Sequence, residues 1–275
     1  MTTTLVTPQE VAEAGSATPS RRRQRSRRAA GRLGWLRRWA SPVAILLTWQ
    51  LLSNAGILTE DVLASPLQIL STGIGLLADG TLQSATATSI TRVVSGFLIG
   101  ASVGLVLATV AGLSRVGEDA VDPPMQMLRT LPHFGLIPLF IVWMGIGETP
   151  KIALIAMGVT FPLYLNTFAG IRSVDRKLLE AAHTLNLTHR QRLRHVVIPG
   201  ALPQALVGLR QSLGVAWLSL IVAETVSADA GLGYLINDAR EFLKTDVIVV
   251  GLAVYSLLGL LTDTLVRLIE RKALT

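Results

Sequence analysis

An all-α, polytopic membrane protein is the fold class this sequence predicts, and three observations predict it. Half of its 275 residues are hydrophobic and only 16% are charged, whereas a soluble domain carries about a quarter charged residues. Mean hydropathy is positive, at +0.51, so lipid is the expected solvent for most of the chain. After Arg38, apolar stretches recur at regular intervals, each near the ~20 residues needed to cross ~30 Å of hydrocarbon.

Taken in order, residues 1–38 read as an Arg-rich arm. Positions 1–20 are rich in Thr, Ala, Ser and Glu without apolar periodicity, the pattern of a disordered segment. Nine arginines between Arg21 and Arg38, against Glu10 and Glu13, hold the whole net charge of +7. The arm stands shortly before an apolar stretch, which suits a topology anchor or a contact with anionic membrane lipid rather than nucleic acid. A cleaved signal peptide is not expected: the basic region is too long and no Ala-x-Ala site follows 41–58.

Residues 39–275 read as the membrane domain, with a core at about 84–268. Six spans are predicted, over 41–58, 93–113, 125–146, 152–171, 201–222 and 247–265. The third is interrupted by Pro132, His133, Gly135 and Pro138. Such breaks survive in a membrane where neighbouring helices or water satisfy the freed backbone groups, so this span is expected to face protein or a cavity. In the second, Gly96, Gly100, Gly104, Ala108 and Gly112 recur every four residues, a bare face on which another helix can pack closely. Gly73-Ile-Gly75 reads as a turn.

Charge sets the expected orientation. With both termini cytoplasmic, nineteen lysines and arginines fall inside, and Lys151, Arg240 and Lys244 fall outside. Arg92, Arg129 and Arg210 lie in or at the edge of spans. This is a strong positive-inside bias; the membrane expected for the chain is the inner (plasma) membrane.

Chemistry is sparse. There is no cysteine, and His133, His183, His189 and His195 are too scattered for a metal site. No phosphate-binding Gly-x-x-x-x-Gly-Lys-Ser/Thr loop is present, so a non-catalytic protein without metal or cofactor is expected.

The inner loop 172–199 is far longer than a simple connection. It reads as two short helices joined by a sharp turn. Ser173 or Asp175 can cap the first, which runs to about Leu185. Asn186 sits where a left-handed residue would end it. Thr188 and Gln191 make a capping box for the second, and Pro199-Gly200 closes the unit before the fifth span. Glu180, Ala181 and Ala182 fall together on the first helix. Residue pattern leaves two uses open: docking into a groove on a partner, or lying on the membrane surface.

This loop resembles the Glu-Ala-Ala loop of ABC importer permeases. Glu180-Ala181-Ala182 is followed at the family's spacing by Asn186 in place of Gly, Val196 in place of Ile, and Ile198-Pro199 in place of Leu-Pro. The resemblance extends over about residues 40–270. Leu131 to Phe140, Trp143 to Gly147, Asn166 to Gly170, Gly208 to Arg210, Trp217 and Gly231 to Ile236 are similar to the sulfonate, taurine and nitrate permease group. It implies a type I ABC importer permease fold, two partner ATPase subunits, an extracytoplasmic solute-binding protein and a homodimeric permease. It also implies that Glu180, Ala181, Ala182, Asn186 and Pro199 couple ATPase closure to the membrane helices. A small anionic solute is the expected cargo, aliphatic sulfonate first, taurine or nitrate next.

Ionisable residues inside spans are candidates for the transport path. Arg210, about 14 Å into the fifth span at 1.5 Å per residue, could attract an oxyanion, or pair with a neighbouring helix. His133 could line the broken span, or simply cap it. Glu224 and Asp263 are expected at span ends or paired with basic groups. The competing class is a self-sufficient secondary transporter or channel, which would usually show more spans and inverted repeats. A membrane scaffold would not need the hairpin spacing.

Overall fold

The computed structural model describes residues 40–273, so the arm at 1–38 lies outside the described residues. The chain divides into two compact units, with the boundary in sequence between Leu58 and Thr59. In the first, a helix over 40–54 (α1) takes most of the first predicted span.

The second unit is built from helices throughout its described residues: α2 (Pro66–Ala78), α3 (Thr81–Leu113), α4 (Arg115–Thr130), a 3-10 turn (His133–Leu136), α5 (Ile137–Met144), α6 (Glu148–Arg172), α7 (Arg176–Thr184), α8 (His189–Arg192), a π-helical turn (Leu193–Val197), α9 (Ile198–Ser227), α10 (Leu232–Glu241) and α11 (Thr245–Ala273). Among the described residues four helices are long and apolar enough to cross a membrane: α3, α6, α11 and the continuous run His189–Ser227. Arg115–Thr130 and His133–Met144 are apolar enough only as a bent pair, the form of a broken span or a re-entrant loop.

The sequence erred in three places. The third predicted span is not one helix. Leu131 precedes a proline, which disfavours the helical region, and its ψ is 136°. The chain therefore turns by 87° between α4 and the His133–Met144 segment. Gly73 and Gly75 are not a turn but lie inside α2, whose start is fixed by Ser65 accepting from the Gln68 amide at 3.2 Å and by Pro66 in the first turn. At 13 residues, α2 is too short to span. Lastly, Pro199 does not separate the hairpin from the next span. A proline cannot donate to the carbonyl four residues back, and its ring crowds that group. The π-helical turn at Leu193–Val197, with the Ile198 amide donating to the Leu193 carbonyl, widens the ladder just before it, so α8 passes unbroken into α9.

The core is a sandwich of α3, α6 and α9. Gly96, Gly100, Gly104, Ala108 and Gly112 are all buried. A Cβ at Gly96 would lie 2.6 Å from Ile155 Cβ, and one at Gly104 2.9 Å from the Thr160 carbonyl. The two backbones are therefore nearly in contact, and Thr160 Oγ1 donates to the Gly100 carbonyl at 3.1 Å. Leucines on the outer face of α11, including Leu257, Leu260, Leu261 and Leu268, are exposed, as a lipid-facing helix requires.

Candidate functional site

The α7–α8 hairpin forms by local rules. Asp175 caps α7 by accepting from the Lys177 amide at 2.9 Å. Asn186 has φ 53°, a left-handed conformation that a short polar side chain tolerates. The Leu187 amide returns to the Ala182 carbonyl at 3.1 Å, which ties off the end of α7. Thr188 and Gln191 then form a complete capping box. Ser173 does not cap α7; it ends α6, its hydroxyl donating to the Gly170 carbonyl at 2.9 Å.

The hairpin keeps the three consecutive residues of its motif apart. Glu180 and Ala181 are exposed, but Ala182 is buried and packs inward. Its methyl is thus part of the hairpin's own packing. The exposed face carries Leu178 at 57% and Leu185 at 73% exposure, beside Ala181 and Glu180. Apolar side chains at helical spacing with one carboxylate are what a helix entering a partner's groove presents.

Asn186→Val is expected to cost about 1–3 kcal/mol locally, because a β-branched residue is strained at this φ. Amide hydrogen exchange should speed up across 176–187, whereas Asn186→Gly should leave it unchanged. Equal protection in both variants would show that the left-handed turn does not hold the hairpin.

The structure does not bring the two path candidates together. Arg210 turns toward α11, where it pairs with Glu270 and, at 3.5 Å, with Asp263; Asp263 also accepts from Arg267 at 2.7 Å. Arg210 ends a groove of about 560 Å³ between α9 and α11, whose other walls include Gly214, Trp217, Leu218 and Gly259. His133 lies instead at the α6–α9 seam. Its Nε2 is buried without a hydrogen-bond partner, as is Ser219 Oγ. Both atoms crowd Gly158, at 3.2 and 2.6 Å from where its Cβ would stand.

A second polar centre lies at the end of the bundle away from the hairpin; it gives Glu224 the basic partner the sequence led one to expect, in Arg92, within a network the sequence did not reveal. Glu224 near the end of α9 is buried and accepts from Arg92 Nη1 at 2.6 Å, Ser89 Oγ at 2.8 Å, Tyr255 OH at 2.8 Å and the Gly233 amide at 2.7 Å. Arg92 also grips Glu148 through Nε and Nη2, both at 2.6 Å. Lys151, counted above as an outer charge, is only 2% exposed and bonds Glu148 at 3.0 Å. Five helices, α3, α6, α9, α10 and α11, are thereby tied together. Gly231, at φ 110°, lets the backbone pass close to the pair: a Cβ there would stand 2.6 Å from Arg92 Nη1. Charged groups this deep endure only when paired.

Helices of span length and a closely packed glycine face define a multi-pass membrane protein, here with an exposed helical hairpin. Residues 96–275 match the family described as binding-protein-dependent transport system inner membrane component. The chain is 43% identical over 265 residues to the aliphatic sulfonates transport permease protein SsuC of Bacillus subtilis (strain 168), covering 96% of each chain. It is 49% identical over 240 residues to the protein of the same name in Escherichia coli (strain K12), covering 86% of this chain and 91% of that one. In fold it is similar to a chain of an amino acid ABC transporter solved with histidines, with TM-score 0.61 and 21% identity over 74% of this chain and 98% of that chain. The chain belongs to the family of binding-protein-dependent transport system inner membrane components. It is therefore an inner-membrane ABC importer permease subunit. It is non-catalytic and works with an ATP-hydrolysing subunit and a substrate-binding protein.

Proposed function

We propose that this permease imports a small anionic solute, aliphatic sulfonate before taurine or nitrate, and that the α7–α8 hairpin is its contact with the ATPase. The choice of cargo rests on similarity: 43% and 49% identity to two aliphatic sulfonate permeases, against 34% over 236 residues to the taurine transport system permease protein TauC of Escherichia coli (strain K12). For the mechanism, one observation carries the reading: α7 displays Glu180, Ala181, Leu178 and Leu185 to solvent.

In this reading two copies pair with two ATPase subunits, and both termini are cytoplasmic. Residues 39–275, with their core at about 84–268, form the permease domain and 172–199 its coupling loop. Burial of Lys151 removes one cation from the outer side and sharpens the positive-inside bias. Glu180 accepts charge-assisted hydrogen bonds from the ATPase cleft; Ala181 lets the slim helix enter it. Ala182 and Asn186 hold the hairpin in shape. Pro199 sits where the π-helical turn joins α9. Because α8 continues into α9 without a break, closure of the ATPases moves α9 as one lever. His133, on the α6–α9 seam, then borders the path, while Arg210, paired to α11, adjusts to the motion of α9.

The test is co-expression with the ATPase and binding protein, followed by substrate-stimulated ATP hydrolysis in lipid. Glu180→Arg is expected to abolish stimulation by placing like charge where a carboxylate docks. Full coupling in that variant would remove Glu180 from the contact. If no ATPase associates with the native chain, the hairpin reading fails.

A further inference from the structure

We infer that a ladder of three carboxamides, Gln204, Asn166 and Gln211, holds the oxyanion head of the solute midway through the permease. Gln204 Nε2 donates to Asn166 Oδ1 at 3.0 Å. Asn166 Nδ2 donates to Gln211 Oε1 at 2.9 Å and to the Pro162 carbonyl at 2.8 Å. The direction of this chain follows from chemistry. The Pro162 carbonyl can only accept, so the Asn166 atom facing it is the nitrogen. That nitrogen needs an acceptor on Gln211, which fixes Gln211 Oε1 toward it. On this side the ladder therefore ends in the two N–H groups of Gln211 Nε2, which donate to nothing among the described residues.

Position gives these donors a use. Gln211 stands ten residues into the predicted span 201–222, or about 15 Å at 1.5 Å per residue. Gln204 and Gln211 are nevertheless exposed. Bare amide N–H groups facing lipid at that depth are costly, so this face of the α6–α9 seam borders water. The seam continues along α9 to Ser219 and the unpaired His133 Nε2. No carboxylate takes part in the ladder, and each amide polarises the next. The two N–H groups at the Gln211 end favour a sulfonate or similar oxyanion there, while the acceptor that ends the ladder on the other side is the Gln204 carbonyl oxygen. Being neutral, the N–H donors also let the anion go, as a transport site must.

This inference rests on the importer reading above. The protein has no cysteine, so a single Val207→Cys, exposed and one turn from Gln211 on the same face of α9, reports on water and solute beside the donors without removing them. In the assembled importer in lipid, Val207→Cys is expected to react with a sulfonate-bearing methanethiosulfonate and to be protected by ethanesulfonate. Leu98→Cys, on the lipid face of α3, should not react. Gln211→Glu, which puts a negative charge where the anion rests, should lower ethanesulfonate molecules imported per ATP on the order of tenfold, the loss expected when one charge-assisted contact is removed. An unreactive Val207→Cys marks the face as lipid or subunit contact and overturns the proposal. So does reaction without protection, or an unchanged ratio in Gln211→Glu. If the native complex imports no ethanesulfonate while energised, the sulfonate reading fails, and the ladder's assignment to that solute falls with it.

Discussion

Replacing Arg92 with methionine is expected to destabilise the folded permease by about 3–5 kcal/mol, the usual effect of breaking a buried ion pair from one side. Methionine matches the length of the side chain and keeps its apolar contacts, so the change isolates the charge. Glu224 would keep its bonds from Ser89, Tyr255 and the Gly233 amide but lose its cation while its side chain stays fully buried. Glu148, with a side chain 52% exposed, can turn to water and retains Lys151. The loss therefore falls on Glu224. In a double variant, Arg92→Met with Glu224→Gln, no uncompensated charge remains at this pair, and a neutral amide still accepts from Ser89 and Gly233. Part of the stability should return. Thermal unfolding of the four proteins of this cycle, in lipid or mild detergent, decides it. A single variant as stable as the native chain, or a double variant no better than the single, would show that the pair does not hold these five helices.

That network also marks where reading the sequence stops. Spans were legible because hydropathy is a local property, and α3, α6, α9 and α11 contain the predicted segments. The hairpin was legible because caps are local too: Asp175, Asn186, Thr188 and Gln191 each act within a few residues. The break at Pro132 was visible in composition, but its angle was not, since that depends on what α6 and α9 leave room for. α2 escaped because two glycines masked a helix whose start was signalled by Ser65-Pro66. Arg92 and Glu224 are 132 positions apart, and no local pattern couples them. A signal existed all the same: an arginine inside one span demands an acid at the same depth in another. The same holds for Asn166, Gln204 and Gln211, polar interruptions in otherwise apolar helices. Their partners follow only from the α6–α9 register, which Gly208 sets by its close approach to Asn166 and Pro162.

Close approach yields the last expected result. Even Gly100→Ala should destabilise the fold by about 1–3 kcal/mol, as overpacking does, and Gly100→Leu by more. A Cβ at Gly100 would stand inside the contact distance of the Ala156 carbonyl, a backbone atom that cannot swing aside. Relief would require α3 and α6 to separate, and with that the Thr160 bond to the Gly100 carbonyl is lost. Separation would also pull Arg92 on α3 away from Glu148 at the start of α6, so damage should spread to the ion-pair network. Gly214 and Gly259 supply the contrast. An added Cβ meets nothing within 4 Å at either one, and both sit inside helices, where alanine is the better helix former by about 1 kcal/mol. Gly214→Ala and Gly259→Ala should therefore be neutral or slightly stabilising. Thermal midpoints of the four variants separate two accounts of these glycines. If all four shift alike, backbone freedom is what matters; if only the Gly100 variants fall, the α3–α6 interface depends on the absence of a side chain at that one position.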